Sequence, residues 1–385
     1  MSNSPNNQSL KWIYTIIFLS TVILVFRQVS NPKQINVKVN YHSIINPKTH
    51  SKSHPKFHHN PTNQVQNPKN FNKFQQNRKT HIKNTCEKNG YKYNSEKSIF
   101  NKNLLSHQLE VLTSKSLLFC VPPKTGTSNW KRLFVATFLN KTVEQVFISD
   151  NVKNEFNDKL YTTIPRWKSC YAGAGFHSRT RLEKYEFRLI NVRHPLARLY
   201  SGWKDKFHNH PENVKYGRLL NKYFGKWDKY IKPFESSGYP KDGNARVSFK
   251  SFIKWIADPK SKALSSQTDN HWNSIFNICS PCYSDYNIIS KIEEADISAD
   301  KILRAVGIPE SVGNFPKAYS TTEMKTNDDN FNLKLKKLYS ENEISEDLIC
   351  NIHKAYRMDF LLFEYDILPF LAETKTLGNC SVFTK

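Results

Sequence analysis

The sequence predicts an α/β protein in which a central parallel sheet is flanked by helices, with an N-terminal transmembrane anchor in front. Three observations support this prediction. Two short apolar runs, 116–121 and 186–192, are each followed by a loop and then by residues with helical spacing. An uncharged apolar run lies near the N-terminus, and the segment that follows it contains no acidic residue. These features indicate an anchor, a flexible stem and one folded domain.

The two strand predictions begin the folded domain. Residues 116–121 (SLLFCV) and 186–192 (EFRLINV) are bounded by polar or Pro residues and have the length of buried strands. A helix is predicted over 129–139, and another begins at Pro195, because the following apolar residues recur on one helical face. Further helices are predicted over 249–257, 297–306 and 345–358. Strands and helices in this order favour a three-layer fold, in which ligands bind beyond the carboxyl ends of the strands.

The apolar run Trp12–Phe26 predicts a single membrane span that follows a short cytoplasmic tail, residues 1–11. No small-residue cleavage site follows the span, which favours an uncleaved signal anchor over a removed signal peptide. Basic residues after the span outnumber Lys11 before it, which argues against a lumenal C-terminus. The sequons at Asn140 and Asn379, both after the span, and the seven cysteines argue for a lumenal C-terminus. We therefore expect a type II protein with a lumenal domain.

The charge distribution separates a stem, residues 27–85, from a folded domain, residues 86–385. The stem is basic and polar, with ten Lys or Arg residues between Gln28 and Thr85 and no Asp or Glu, so it is predicted to be disordered. The net charge of the chain is +24, and roughly half of it belongs to the folded domain. A basic domain favours polyanionic partners such as nucleic acid, anionic membrane, phosphorylated cofactors or acidic polysaccharides. The alternative is charge that serves solubility alone.

A candidate phosphate-binding loop follows the first predicted strand. It contains Pro123, Lys124, Thr125, Gly126, Thr127, Ser128 and Asn129. Backbone N–H groups at a helix N-terminus bind anions, Gly126 allows close approach, the hydroxyl groups add donors and Lys124 adds a positive charge. The loop lacks the glycine spacing of a Walker A motif, which argues against a conventional P-loop kinase or nucleotidase. The alternative is an ordinary helix start with Thr127 or Ser128 as the N-cap.

A second candidate phosphate site directly follows the second predicted strand, where the sequence reads R-H-P-L-A-R-L-Y-S over residues 193–201. Arg193 at the strand end and Ser201 about two helical turns later are spaced to hold one phosphate between a guanidinium and a hydroxyl. In the alternative interpretation, Arg193 caps the end of the sheet and Ser201 is a solvated helix residue.

Taken together, the two motifs resemble the 5′-phosphosulfate and 3′-phosphate motifs of the sulfotransferase superfamily. Further stretches resemble the Golgi carbohydrate sulfotransferases of the chondroitin 4-O and HNK-1 group: N-W-K-R at 129–132, R-L-Y-S-G-W-K-D-K-F at 198–207, His271-Trp272, Cys279-Ser-Pro-Cys282 and A-Y-R-M-D-F at 355–360. The resemblance covers roughly residues 115–365. One departure is T-G-T-S at 125–128, where that group commonly reads V-A-C-T.

The resemblance implies a P-loop-like sulfotransferase fold and 3′-phosphoadenylyl sulfate (PAPS) as the sulfuryl donor, with no metal required. It implies that the loop from Pro123 to Asn129 binds the 5′-phosphosulfate end, and that Arg193 and Ser201 bind the 3′-phosphate. Lys124 is then placed to stabilise the leaving oxygen. It further implies a carbohydrate acceptor, with chondroitin-type glycosaminoglycan as the first expectation and HNK-1-like or heparan glycans as alternatives.

The same resemblance implies a Golgi membrane protein that does not bind nucleic acid. Its oligomeric state is not predicted. A non-catalytic, heparin-binding membrane protein is the rival hypothesis, because the charge and the anchor suffice for it.

A catalytic base for the acceptor hydroxyl is expected to be a histidine or a carboxylate. His177 and His271 are the two leading candidates, and Glu183 and Glu186 are lesser ones. His194 is interpreted as a residue that ends the second strand.

Cys279-Ser-Pro-Cys282 matches a redox or half-zinc motif, but neither a thioredoxin-like strand nor a second ligand pair accompanies it, so structural disulfides are predicted. The odd number of cysteines leaves at least one unpaired, with Cys120 as the candidate.

A basic and aromatic stretch after the second motif is a candidate acceptor groove, in which cations bind uronates or sulfates and aromatic faces contact sugar rings. Its residues are Lys204, Lys206, Lys215, Arg218, Lys222 and Lys226, with Trp203, Phe207, Tyr223 and Trp227. A solvated helix face is the alternative explanation.

Overall fold

The computed structural model describes residues 68–99, 105, 108–147, 182–208, 248–261, 263–264, 269–315 and 331–371. The predicted anchor Trp12–Phe26 and the candidate base His177 lie outside these ranges. Within them, no helix is both long and apolar enough to cross a membrane.

Among the described residues, four strands form one mixed sheet in the order β1-β2-β3-β4. They are β1 (Leu109–Leu112), β2 (Leu117–Cys120), β3 (Phe187–Val192) and β4 (Ile288–Lys291). β2 and β3 are parallel, as predicted, and β4, a strand that the sequence analysis did not predict, is parallel to β3. β1 pairs antiparallel with β2, so the prediction of a parallel sheet is wrong at this edge. Only residues 113–116 connect β1 to β2, and a parallel crossover needs about a dozen residues or more. The short connection therefore requires antiparallel pairing.

Helices surround the sheet. In chain order they are α1 (Pro68–Lys88), α2 (Thr127–Phe138), α3 (Val143–Phe147), α4 (Pro195–Trp203), α5 (Phe249–Ala257), α6 (Ile275–Cys279), α7 (Pro281–Ser284), α8 (Ala295–Ala305), α9 (Phe331–Glu341), α10 (Glu346–Ala355) and α11 (Arg357–Leu362). A π-helical turn, Lys204–His208, continues α4. The predictions of α2, α5 and α8 are confirmed to within two residues at each end, and α4 begins at Pro195 as predicted. The helix predicted over 345–358 is divided at Tyr356 into α10 and α11.

The sheet is the middle of three layers, as predicted. Successive strand residues face opposite sides: Leu117 and Phe119 pack against α2 and α8, whereas Leu118 and Cys120 pack against residues of α1, α6 and α7. A further apolar cluster lies among α4, α5, α9, α10 and α11 and includes the buried indoles of Trp255 and Trp272. This cluster holds α4, which carries the second motif.

Helix α1 corrects the predicted boundary between stem and domain, because it begins at Pro68 within the segment that was predicted to be disordered up to residue 85. The Gln75 side chain accepts from the backbone N–H of Ile289 at 2.8 Å and donates to its carbonyl at 3.3 Å. Arg78 Nη1 donates to the same carbonyl at 3.0 Å. An edge strand exposes unpaired backbone groups, and these bonds satisfy those of Ile289 in β4. The partner that stabilises α1 is thus distant in sequence.

Two disulfides connect this frame. Cys86 pairs with Cys282 and Cys120 with Cys279, so the two cysteines of the C-S-P-C motif bind different partners. The prediction of structural disulfides is confirmed, whereas the suggestion that Cys120 is unpaired is wrong. Cys120 ends β2 and faces the layer that contains α6, where its disulfide partner Cys279 lies. Cys350 is also disulfide-bonded.

Candidate functional site

The loops that follow β2, β3 and β4 meet at one edge, because these strands are parallel and their carboxyl ends coincide. Arg193, after β3, donates from Nη1 to the carbonyl of Lys124, after β2, at 3.0 Å. The backbone N–H of His194 donates to Oε1 of Glu293, after β4, at 2.8 Å. The convergence of the two predicted phosphate motifs at this edge is confirmed, although the residues are 69 apart.

The first loop is closed by its own side chains. The hydroxyl groups of Thr125 and Thr127 donate to the Pro122 carbonyl at 2.7 and 2.5 Å. The side-chain amide of the buried Asn191 in β3 donates to the Thr125 carbonyl. In this structure the two hydroxyls therefore brace the turn, which differs from the direct anion contact predicted for them. Asn191, which the sequence analysis did not single out, ties the loop to the sheet.

Gly126 begins α2 as its N-cap, so the alternative that placed Thr127 or Ser128 there is wrong. Its φ of +80° is favourable for glycine, and a Cβ at this position would lie 2.5 Å from Cδ1 of Ile292. The positive end of the 12-residue helix α2 consequently opens onto the loop without a capping side chain. Ser128 and Asn129 lie in its first turn. This arrangement is suited to binding an anionic group.

Lys124 is held by a carboxylate that the sequence analysis did not identify. Its Nζ lies 3.1 Å from Oδ2 of Asp205, and Nζ of Lys206 lies 3.3 Å from the same oxygen. Burial lowers the pKa of Lys124, and the attraction of Asp205 opposes this effect only in part. Burial also raises the pKa of Asp205, but the two lysines outweigh it and hold that pKa below its ordinary value. The carboxylate is therefore ionised between two ammonium groups.

Arg193 and Ser201 are both buried, which makes the solvated-helix interpretation of Ser201 wrong. Arg198, between them, has a structural role. Its Nε donates to the Pro123 carbonyl at 3.0 Å, and its Nη1 and Nη2 donate to the carbonyls of Asn273 and Asn270 at 2.5 Å each. Arg198 thus binds the first loop and the segment around His271 to α4. The second arginine of R-H-P-x-x-R was the available sequence signal for this contact.

His271 belongs to the same site. Its Nδ1 lies 2.5 Å from Oδ1 of Asp269, which also accepts the His271 backbone N–H at 2.8 Å. Because an ionised carboxylate can only accept, the proton of the neutral ring is on Nδ1 and the basic nitrogen is Nε2. Burial lowers the pKa of His271, Asp269 raises it in part, and Lys206 and Lys124 lower it further. A neutral, oriented imidazole near Lys124 can accept a proton.

The remaining base candidates are placed differently. Glu183 and Glu186 are exposed and precede β3, so they lie at the opposite edge of the sheet from Lys124, and their candidacy is wrong. His194 is buried and accepts the Leu196 N–H at 3.3 Å as the N-cap of α4, which confirms it as a residue that ends the strand. Burial lowers the pKa of His194 to about 3.

The structure contradicts the candidate acceptor groove at its two described aromatic residues. Trp203 and Phe207 are buried, Trp203 against Phe249 and Phe207 against Phe252, so neither presents a face to a sugar. Trp203 and Phe207 are therefore part of the hydrophobic core. Lys204 and Lys206 are partly exposed. The other members lie outside the described residues: Lys215, Arg218, Lys222, Tyr223, Lys226 and Trp227.

Two carboxylates of the site, Asp205 and Asp269, escaped the sequence analysis. Each had a local signal, since Asp205 stands between two lysines in W-K-D-K-F and Asp269 is two residues before His271. Among the described residues, no group of three or more His, Cys, Asp or Glu side chains is arranged to hold a metal ion. The site combines an ammonium, a guanidinium, a helix N-terminus and an imidazole with the carboxylates of Asp205 and Asp269.

Comparison with known proteins identifies relatives of this chain. A model of the sulfotransferase family matches residues 107–366, which include both loops and His271. Carbohydrate sulfotransferase 10 of Xenopus laevis is 29% identical over 74% of each chain, and carbohydrate sulfotransferase 11 of Rattus norvegicus is 24% identical over 72% of each. Carbohydrate sulfotransferase 14 of Danio rerio is 28% identical over 69% of this chain and 64% of its own. No solved structure matches the chain significantly.

Proposed function

This chain belongs to the sulfotransferase family, and we propose that it transfers a sulfuryl group from PAPS to a hydroxyl group of a carbohydrate. The observation that carries the proposal is the hydrogen bond from Arg193 to the Lys124 carbonyl, which brings two anion-binding motifs together. The relatives named as carbohydrate sulfotransferases support the class of acceptor. The mixed α/β architecture is consistent with a P-loop-like sulfotransferase fold.

The residues at the sheet edge fit a donor that carries phosphates at two separate positions. The open N-terminus of α2, Gly126 and Lys124 are suited to the 5′-phosphosulfate end. The buried Arg193 and Ser201 are suited to the 3′-phosphate, which PAPS carries and ATP lacks. The buried position of Ser201 in the last turn of α4 supports this assignment, because a buried hydroxyl needs a polar partner.

The chemistry follows from three groups of the chain. When bound, the donor supplies an activated sulfuryl group. Nε2 of His271 takes the proton from the acceptor hydroxyl as the hydroxyl oxygen forms its bond to sulfur. Lys124 stabilises the negative charge on the bridging oxygen as the sulfur–oxygen bond to the phosphate breaks and that oxygen keeps the electron pair. Asp269 stabilises the protonated His271 that results.

We further propose that the acceptor is a chondroitin-type glycosaminoglycan and that the enzyme is a type II Golgi membrane protein anchored by Trp12–Phe26. The net charge of +24 supports an anionic polysaccharide as the acceptor. Two disulfides support an oxidising compartment. The sequon residue Asn140 is exposed after α2, where a glycan could be attached.

The test is transfer of label from radiolabelled PAPS by the full-length chain to a panel of acceptors: desulfated chondroitin, desulfated dermatan, desulfated heparan and an oligosaccharide ending in glucuronate. We expect label on one of these and none with the Lys124→Ala variant. Folded protein that labels none of them contradicts the proposal. If the same protein still binds heparin, the non-catalytic function suggested by its charge is favoured instead.

A further inference from the structure

The cation predicted to hold the donor is already paired with a carboxylate of the protein. Nζ of Lys124 lies 3.1 Å from Oδ2 of Asp205, and the Lys124 side chain is only 15% exposed. Asp205 is one-third exposed and lies on the π-helical turn that follows α4. Such turns are often found at functional sites, and here the turn directs a carboxylate toward the first loop.

A phosphosulfate group and Asp205 compete for the same ammonium group. A bound donor would bring negative charge to Lys124 and to the N-terminus of α2, beside the carboxylate. Like charges at this range repel, and the low water content of a half-buried site strengthens the repulsion. The pair between Lys124 and Asp205 must therefore loosen when an anion binds to Lys124.

We propose that Asp205 is a positioning residue that holds Lys124 in the donor-free protein, releases it to the anionic donor and takes it back as the nucleotide product leaves. Lys206, which contacts the same carboxylate oxygen at 3.3 Å, retains Asp205 when Lys124 leaves it. Asp205 thus lowers the affinity for donor and product alike, which favours release of the product. This inference rests on the proposed function, because it takes Lys124 as a donor ligand.

The experiment is calorimetric titration of adenosine 3′,5′-bisphosphate into the full-length chain and its variants. We expect Asp205→Asn to bind this product about fivefold more tightly than the unaltered chain, because that factor corresponds to the free energy of a partly exposed ion pair. In a Lys124→Ala background, the same substitution should restore no binding, because the ammonium group for which Asp205 competes is absent. Asp269→Asn is the matched control, since it removes a carboxylate of the same site that does not contact Lys124.

Each outcome decides one question. Equal or weaker binding by Asp205→Asn overturns the inference, and so does equal tightening by Asp269→Asn, which would indicate a general charge effect. Asp205→Ser serves as a second variant without the carboxylate if Asp205→Asn does not fold. Absence of binding to the unaltered, folded chain overturns the proposed function itself, and with it this inference.

Discussion

The guanidinium of Arg193 donates a 3.0 Å hydrogen bond to the carbonyl of Lys124, so the loop after β2 is held by the first residue after β3. Arg193 is buried, and Asn191 two residues earlier also donates to this loop. The position of Lys124 therefore depends on the end of the neighbouring strand. Loss of either motif is expected to disturb both.

The first prediction concerns donor binding. Lys124→Ala and Arg193→Ala should each abolish retention on immobilised adenosine 3′,5′-bisphosphate, because each removes a positive charge from a proposed phosphate site. Lys337→Ala is the control, since Lys337 is exposed and pairs with Glu341 on the same helix. Unchanged retention of both site variants would mean that the two loops do not bind the nucleotide.

The second prediction concerns the base. His271→Gln should lower kcat by about a hundredfold or more, while the affinity for adenosine 3′,5′-bisphosphate changes little. Because burial lowers the pKa of His271 from its ordinary value of 6.5, the acid fall of kcat should lie below pH 6.5. Below that pKa the imidazole is protonated and cannot accept a proton.

Asp269→Asn tests whether Asp269 orients His271 and tunes its pKa or only supports the local structure. Asp269 raises the pKa of His271, so its removal should move the acid fall of kcat to still lower pH and reduce the plateau. The measurement is the pH profile of kcat for the unaltered chain and both variants. A His271→Gln profile that matches the unaltered chain would exclude His271 and leave His177 as the candidate.

The third prediction concerns Gly126. An alanine there must adopt a φ of +80° and places its Cβ 2.5 Å from Cδ1 of Ile292. Gly126→Ala should lower the free energy of unfolding by about 1–3 kcal/mol. Adding Ile292→Val removes the clashing methyl group and should restore part of the loss, whereas the backbone strain remains. Denaturant unfolding of the single and double variants measures both parts, and a fully additive loss would contradict the steric explanation.

The fourth prediction concerns the buried Asp359, whose carboxylate accepts the backbone N–H groups of Ile275 and Phe276 at 2.8 and 2.7 Å. Burial raises its pKa to about 6, although both hydrogen bonds and Arg198 oppose the shift. The folded state therefore binds the proton more tightly than the unfolded state. Its contribution to stability is fully present below about pH 4 and falls by about 3 kcal/mol as the pH rises through 6.

Asp359→Asn tests this dependence. The amide does not titrate, so the difference in unfolding free energy between the two proteins should vary with pH between 4 and 6 and be constant above 7. The variant should also be less stable at pH 7, since the amide offers one acceptor oxygen where two N–H groups need one each. A difference that does not change with pH would show that Asp359 has its ordinary pKa.

Local sequence patterns predicted some helices and strands and missed others. β2 and β3 were predictable because their apolar runs lie between clear boundaries. β1 was missed because its four residues include Glu110, whose charge is balanced in the core by Lys131 at 2.5 Å. Helix α1 was missed because its composition is polar and its hydrogen-bond partner, Ile289, is more than 200 residues away.

The candidate site was predictable to a similar extent. Both loops were identified from residue types that follow strands, and His271 was one of two leading bases. Asp205 and Asp269 could not be assigned, because a carboxylate near lysines or a histidine in sequence is usually a solvated surface group. Trp203 and Phe207 were candidates for sugar contact until their packing against α5 was known.

By itself the sequence determined the strand–loop–helix units and the anion-binding character of the two loops. Helical spacing, strand alternation and the preferences of glycine and proline act over a few residues, so they are legible without the fold. Only the tertiary structure decided that Arg193 supports Lys124, that Asp205 pairs with it and that His271 rather than Glu183 shares its edge of the sheet. Those relationships depend on strand order and on burial, which bring together residues that no local preference connects.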